Sequence, residues 1–193
     1  HWQLVEKVLR DKSKVIVAQF APSIRISLGE EFGAESGKIM SGQVVAALKR
    51  LGFNYVFDVN FGADITTMVE AEELLRRLKL GGAMPMFTAC CPAWVKYVEF
   101  YRPDLIPNLT TARSPQMHSA GLIKTYLAEK MKIKPKNIVV VSVMPCTAKK
   151  FEAGRRELKI NGNWPVDHVI TTRELAWLIK KNKIDFVGLK SAA

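Results

Sequence analysis

Short apolar runs rich in β-branched residues alternate along the chain with longer amphipathic stretches. Near-continuous apolar runs are typical of parallel strands that are covered on both faces. The pattern predicts strands at 15–20, 55–59, 83–88, 138–144 and 167–170. Apolar residues recur at helical spacing between these runs, and they predict helices at 38–51, 65–79, 92–101, 115–131 and 172–182. The sequence therefore predicts an α/β fold, a mostly parallel sheet with helices on both faces.

Several of the predicted helices carry residues that favour a helix end. Asp64 stands at the start of the second helix as a candidate N-cap. Pro92 and Pro115 suit the first helical turn, where the amide would have no partner within the helix. The threonines at 171–172 form a capping arrangement with the glutamate that follows, and Gly52 suits a C-terminal cap. These signals support the helical assignments.

The chain shows no internal repeat, no low-complexity segment and no flexible linker. Residues 1–193 are therefore predicted to form one domain, with a charged loop at 153–165.

Basic residues interrupt every long apolar segment. No run therefore reaches the roughly 20 residues that cross a bilayer, and we expect no membrane association. Residues 1–14 lack the apolar centre of a secretory signal, so we expect a cytoplasmic protein. A start at His1 favours a chain that begins within a longer protein.

Lysine and arginine outnumber aspartate and glutamate by 29 to 18, which gives a net charge of +11. Such an excess raises the possibility of nucleic-acid binding. The basic residues are instead scattered as pairs along amphipathic stretches, and none forms a run interleaved with aromatic residues. We therefore expect no nucleic-acid partner. A solvated basic surface and the docking of an acidic electron carrier are the two interpretations that fit.

Three cysteines occur, at positions 90, 91 and 146, and each lies in a turn after a predicted strand. A sparse, odd number of cysteines makes a poor disulfide framework. A cysteine with a purely structural role would be expected within a strand or on a helix face. In an open α/β sheet, functional groups gather at the carboxyl ends of the strands. The cysteines therefore favour a metal site at one edge of the sheet.

The segments around these cysteines resemble a known family. FTACCPAW at 87–94 is similar to the first signature of iron-only hydrogenases, which usually has serine at position 89 and glycine at position 93. VMPCTAKKFEA at 143–153 is similar to the second signature. Three further segments are also similar and occur in the family's order along the chain: NFGADITTMVEAEEL, TTARSPQ and ITTRELAWLI. The resemblance covers nearly the whole chain.

The resemblance implies an H-cluster, in which a cubane iron-sulfur centre bound by four cysteines shares one thiolate with a diiron unit carrying carbon monoxide, cyanide and a bridging dithiolate. Cys91 and Cys146 match two of the four cubane ligands. Because both follow predicted parallel strands at one edge, we expect their sulfur atoms to lie roughly 6 to 7 Å apart. The third signature, which supplies the other two ligands, is absent from the 193 residues. We therefore expect a domain truncated at its C-terminal side, with the missing half as a partner.

The resemblance also implies a route for protons. Cys90 matches a cysteine that is not a ligand and that exchanges protons with the bridging dithiolate. A thiol suits this task near neutral pH, whereas a serine hydroxyl is too weak an acid. The rest of the relay matches Glu70, Thr110, Glu73 and Arg77. The helical spacing of the two glutamates and the arginine allows them to line one face of a helix, for which the alternative is a solvated charged face.

Further positions match the family's cofactor pocket. Lys149 matches the lysine that pairs with a cyanide ligand, and Glu152 matches the residue that holds this lysine. The loop under the diiron unit and the pocket walls match a larger set: Ala21, Pro22, Ser23, Phe87, Pro115, Gln116 and Met144.

Several functions fit these motifs. The first is an iron-only hydrogenase that reduces protons to hydrogen or oxidises hydrogen, with a ferredoxin or another electron-carrier domain or subunit as partner. The second is a hydrogenase-like iron-sulfur cluster assembly factor. Such factors generally lack the first cysteine of the pair, so Cys90-Cys91 and the relay glutamates favour the enzyme. A noncatalytic sensory homologue and a metal-free α/β binding domain are the remaining alternatives.

Overall fold

A parallel sheet of four strands forms the centre of the structure, a computed structural model that describes residues 1–192. The strands are β1 (Val15–Phe20), β2 (Tyr55–Asp58), β3 (Ile138–Met144) and β4 (His168–Thr171). Their order is β2-β1-β3-β4, so β1 and β3 are central, and every pairing is parallel. The side chains of β1 and β3 are almost entirely buried, as expected for strands covered on both faces.

Helices cover both faces of this sheet. They are α1 (Trp2–Leu9), α2 (Ile24–Glu30), α3 (Ser41–Leu51), α4 (Asn60–Leu80), α5 (Pro92–Tyr101), α6 (Pro115–Leu122), α7 (Ala128–Lys130), α8 (Ala148–Ala153) and α9 (Thr172–Lys181). A π-helical turn joins α6 to α7. The predicted α/β class and the parallel sheet are confirmed.

The strand predicted at 83–88 is wrong. This segment makes only one isolated bridge, in which the Phe87 N–H donates to the Asn108 carbonyl and the Phe87 carbonyl accepts from Thr110. Pro85 lacks an amide donor, and proline within a run argues against a place inside a sheet. The segment instead pairs with the loop before α6, outside the four-stranded sheet.

The helix predicted at 65–79 begins five residues earlier than expected, at Asn60. Asp64 therefore lies inside α4 and is not its cap. The chain enters α4 directly from β2, where the Asp58 side chain accepts a hydrogen bond from the Asn60 amide at 2.9 Å. The carboxylate at the end of the strand thus accepts from the first amide of the helix.

Other helix ends agree with the sequence signals. Pro92 and Pro115 occupy the first turns of α5 and α6. Thr171 and Glu174 form a complete capping box at the start of α9, and Gly52 ends α3 in the left-handed conformation, with φ of 109°. Helices α2 and α8 were not predicted. Both are short and begin after the brief loops that follow β1 and β3, where the sequence shows no separate helical period.

The carboxyl ends of β1 and β3 lie side by side. The Ala21 amide donates to the Val143 carbonyl at 3.0 Å, which continues the pairing of the two strands by one residue. The segments that follow, 21–23 and 144–146, therefore meet at one edge of the sheet. This edge carries the predicted pocket loop and Cys146.

Helices α4 and α6 pack closely because Gly62 has no side chain. A Cβ atom at this position would collide with the Pro115 carbonyl and would lie 2.9 Å from the Ser119 Cβ atom. Contacts this short force the two helices apart. The close approach sets the position of α4, which carries the relay residues, relative to α6.

Gly62→Ala should therefore destabilise the protein by about 1–3 kcal/mol, the usual cost of overpacking a well-filled interior. Gly154→Ala is the control, because a Cβ atom there meets its nearest neighbour at 3.5 Å, an ordinary contact. Urea unfolding of the two variants measures the difference. Equal stability of both variants would show that the α4–α6 contact adapts without cost.

Within residues 1–192, no helix has the length and apolar character needed to cross a membrane. The cytoplasmic location stays a prediction.

Candidate functional site

Two loops carry the three cysteines, and all three are free thiols. Cys91 is the N-cap residue of α5 and is exposed, whereas Cys90 beside it is partly buried. Cys146 follows the carboxyl end of β3 and is partly buried. Cys91 therefore lies at the start of a helix, where the free amides favour anionic groups.

Lys149 ties the two cysteine loops together. Its Nζ atom donates to the Cys90 carbonyl at 2.7 Å and to Glu152 Oε2 at 2.9 Å. Glu152 is buried and also accepts from Gln116 Nε2 at 3.0 Å. A buried carboxylate with these two donors is fully compensated and holds the ammonium in one direction. The predicted support of Lys149 by Glu152 is thus present in the structure.

The predicted pocket residues divide by burial. Ala21, Met144 and Gln116 are buried, and Phe87 and Pro115 are partly buried. The exposed positions are Pro22 and Ser23. The Oε1 atom of Gln116 is buried and makes no hydrogen bond within residues 1–192. Such an atom is costly unless something outside these residues satisfies it.

Glu73 is the centre of the predicted relay. Its Oε1 atom accepts from Arg77 Nη2 at 2.6 Å and from Arg77 Nε at 3.1 Å. Its Oε2 atom accepts from Thr110 Oγ1 at 2.7 Å, from the Thr111 amide at 2.8 Å and from Thr111 Oγ1 at 2.9 Å. Burial alone would raise the pKa of Glu73, but the hydrogen bonds from Thr110, Arg77 and Thr111 outweigh it and lower the pKa to about 2. Glu73 is therefore a firmly held anion.

Glu70 lies one turn earlier on α4 and has the opposite environment. Its Oε1 atom is buried and makes no hydrogen bond within the described residues. Burial raises the pKa of Glu70, and the charge of Glu73 raises it further. Two neighbouring carboxyls with divergent environments are typical of sites that handle protons. In this structure the Thr110 hydroxyl donates to Glu73 and not to Glu70.

Besides binding Glu73, Arg77 also holds the loops around the relay. Its Nη1 atom donates to the carbonyls of Ala83 at 3.0 Å and Pro107 at 3.1 Å, and its Nη2 atom donates to the Leu109 carbonyl at 2.7 Å. The guanidinium thereby fixes the segments on both sides of the Phe87 bridge. The structure assigns Arg77 a positioning contact that the sequence did not indicate.

Thr111 is the member of this cluster that sequence reasoning missed. It supplies two of the hydrogen bonds to Glu73. The available signal was its place beside Thr110, because two adjacent hydroxyls and an amide in an extended loop can converge on one carboxylate.

Ionisation of Glu70 and ionisation of Glu73 should have opposite effects on the stability of the fold. The pKa of Glu73 is lowered from 4.5 to about 2, so its ionisation stabilises the fold above pH 4.5, and this contribution, worth roughly 3 kcal/mol, is lost as pH falls towards 2. The pKa of Glu70 is raised, so its ionisation costs stability at neutral pH and the cost disappears below pH 4.5. Glu73→Gln should therefore destabilise the protein at pH 7, and Glu70→Gln should stabilise it.

Urea unfolding of the two variants at pH 7 and pH 4 checks this prediction. The difference between Glu73→Gln and the parent should shrink at the lower pH. A stabilising Glu73→Gln, or two variants that respond alike, would contradict the assignment of the anion to Glu73.

Within residues 1–192, no three side chains of His, Cys, Asp or Glu are grouped closely enough to hold a metal ion. The separation of the Cys91 and Cys146 sulfurs stays a prediction, although its basis changes, because Cys91 follows a loop segment and not a strand of the sheet.

Comparison with known proteins places the chain in a family. The family model for the iron only hydrogenase large subunit, C-terminal domain, matches residues 14–193. The chain is 48% identical over 97% of its length to the NADP-reducing hydrogenase subunit HndD of Solidesulfovibrio fructosivorans, and 46% identical over 96% to the periplasmic [Fe] hydrogenase large subunit of Nitratidesulfovibrio vulgaris. It spans 33% and 44% of these relatives.

The fold agrees with this match. An apo [FeFe]-hydrogenase of Chlamydomonas reinhardtii superposes with a TM-score of 0.93 at 40% identity, over 98% of this chain and 50% of that one. A cytosolic Fe-S cluster assembly factor of Sclerotinia sclerotiorum is also similar, at 35% identity over 91% of this chain and 34% of that protein. The family match over residues 14–193, together with the hydrogenase relatives, shows that the chain belongs to the iron-only hydrogenase large-subunit family, in its C-terminal domain.

Proposed function

We propose that the complete protein is an [FeFe] hydrogenase that reversibly reduces protons to molecular hydrogen, and that this domain holds one side of its H-cluster. The observation that carries the proposal is the Cys90-Cys91 pair at the start of α5. The two thiols differ in exposure, and Lys149 fixes the carbonyl between them at 2.7 Å. A single ligand cysteine would serve cluster binding, so the neighbouring thiol is free for a second role.

The residues present fit part of the cofactor. Cys91 and Cys146 would bind the cubane as thiolates, the usual ligands of iron-sulfur clusters. Lys149 would present its ammonium to an anionic cyanide ligand, and the unsatisfied Gln116 Oε1 atom lies in the same network. When bound, the cofactor supplies the electron exchange and the metal centre at which hydrogen forms or is split.

The chain itself would supply the proton path. Cys90 would exchange a proton with the cofactor as a general acid and base. Glu70 is the carboxyl suited to carry the proton onward, because its raised pKa makes the neutral form accessible. The Thr110 hydroxyl and the Glu73 anion, held by Arg77, would form the next part of the route. The order of these groups rests on the family resemblance and on the contacts described above.

The domain would act together with two kinds of partner. Two further thiolates are needed to complete a four-cysteine site, and we assign them to the remaining part of the catalytic domain. Electrons would come from a ferredoxin or another electron-carrier domain or subunit, and the net charge of +11 favours an acidic one. The isolated 193-residue chain should therefore evolve no hydrogen.

Anaerobic preparation of the complete protein tests the proposal. After reconstitution with iron, sulfide and a diiron precursor, it should evolve hydrogen from a reduced mediator dye. Transfer of a cluster to an apo-acceptor without hydrogen evolution would favour the assembly-factor function. Absence of bound iron would favour a metal-free domain.

A further inference from the structure

Two polar side chains interrupt the apolar centre of the sheet. Gln19 on β1 and Ser142 on β3 are paired in register, and both are fully buried. Among the described strands they are the only fully buried polar residues. Buried polar groups lower stability unless they are hydrogen-bonded, so their presence here needs a reason.

Both amide hydrogens of Gln19 are used. Its Nε2 atom donates to Ser142 Oγ at 2.6 Å and to the backbone carbonyl of Gln116 at 3.0 Å. Gln116 lies in the first turn of α6. The side chain of Gln19 thus joins the two central strands to the start of the helix that faces them.

The contacts continue from α6 to the cysteine loop. Gln116 Nε2 donates to Glu152 Oε2, and Glu152 accepts from Lys149, whose ammonium donates to the Cys90 carbonyl. The contacts therefore lead from Gln19 to the backbone of Gln116, and from the Gln116 side chain through Glu152 and Lys149 to the Cys90 carbonyl. Each side chain in such a network keeps its orientation only while its hydrogen-bond partner stays in place.

We propose that Gln19 and Ser142 are positioning residues, which fix Gln116 and thereby the direction in which Lys149 is held at the cysteine loop. The inference rests on the proposed function, since Lys149 is assigned there to the cofactor. It extends that function to two residues in the sheet whose side chains form hydrogen bonds with each other and with the Gln116 carbonyl. Central strands supply a firm support because both neighbouring strands restrain them.

A double substitution separates positioning from stability. Gln19→Met with Ser142→Ala removes both side chains of the Gln19–Ser142 hydrogen bond and leaves groups of similar shape, a change that is often nearly neutral. It also removes the contact of Gln19 with the Gln116 carbonyl, which is the contact under test. The folding equilibrium constant should stay within about tenfold of the parent. Lys124→Met is the control. Lys124 is buried at the other end of β3, where it pairs with Asp167 at 2.8 Å, so its loss should destabilise the protein without reaching the network.

The first measurement is hydrogen exchange at the amides of residues 88–91 in the complete protein without cofactor. The double variant should exchange there faster, on the order of tenfold, while Lys124→Met matches the parent at this loop after correction for global unfolding. The second measurement is the infrared spectrum of the cofactor-loaded protein, in which the cyanide stretching bands should shift in the double variant only. Exchange and bands equal to those of the parent would overturn the inference.

The two proposals fail in different ways. A parent protein that evolves no hydrogen, with faster loop exchange in the double variant, would overturn the proposed function and leave the positioning role standing. A parent that evolves hydrogen, with no change in exchange or bands, would overturn the positioning role alone.

Discussion

Cys90→Ala should abolish nearly all hydrogen evolution by the complete protein while its iron content stays unchanged. The proposed role of Cys90 is to pass protons and not to bind metal, so alanine removes the acid and leaves the ligands in place. Loss of a general acid-base group typically costs about 10²- to 10⁴-fold in rate, and loss of a sole proton path costs more. Cys90 is partly buried.

Cys91→Ala is the matched variant, because it changes the adjacent thiol in the same loop. As a proposed ligand at the start of α5, Cys91 should be needed for cluster binding, and its loss should lower the iron content together with the activity. Cys146→Ala should behave like Cys91→Ala. Iron analysis beside hydrogen evolution measures both properties in each variant. If Cys90→Ala loses iron and Cys91→Ala keeps it, the two roles are reversed, and full activity of Cys90→Ala would refute the relay.

Arg77→Met should cost about 3–5 kcal/mol of stability, the usual effect of leaving a buried charge without its partner. Arg77 and Glu73 have side chains only 10% and 5% exposed, so little water reaches the carboxylate that remains. The variant also leaves the carbonyls of Ala83 and Leu109 without their donor. Arg77→Lys should recover only part of the loss, since an ammonium lacks the fork of donors that binds one oxygen twice.

Arg76→Met is the control for this prediction, because Arg76 is the preceding residue on α4, is exposed and forms no ion pair within residues 1–192. Its substitution should change stability by less than about 0.5 kcal/mol. Urea unfolding monitored by far-ultraviolet circular dichroism measures the three variants. A cost below about 1 kcal/mol for Arg77→Met would show that Glu73 finds other partners when the guanidinium is removed.

Glu70 and Glu73 lie in different environments, and only the structure shows this difference. The spacing of three residues puts Glu70 and Glu73 on neighbouring turns of one helix, and the sequence predicts this. The difference between them arises from the loop at 110–111, which Arg77 and the Phe87 bridge hold close to Glu73. No local pattern contains that contact, since it joins residues 37 and 38 positions apart.

The sequence by itself determined the α/β class, the central strands at 15–20 and 138–144, and the turn that carries Cys146 after the second of these strands. These features depend on local apolar periodicity, on proline and glycine signals and on short motifs, all of which are carried by neighbouring residues. For the same reason the first turns at Pro92 and Pro115 and the capping box at Thr171 agree with the structure.

Only the tertiary structure decided which segments join the sheet and which polar groups meet. The segment at 83–88 has the apolar character of a strand, yet it pairs with the loop at 108–110, because pairing depends on what lies beside a segment and not on its composition. Likewise, the sequence shows Gln19 only as a polar residue within an apolar run. The structure adds its contacts with Ser142 and Gln116. Hydrogen bonds between residues distant in the chain are set by packing, and the sequence has no local signal for them.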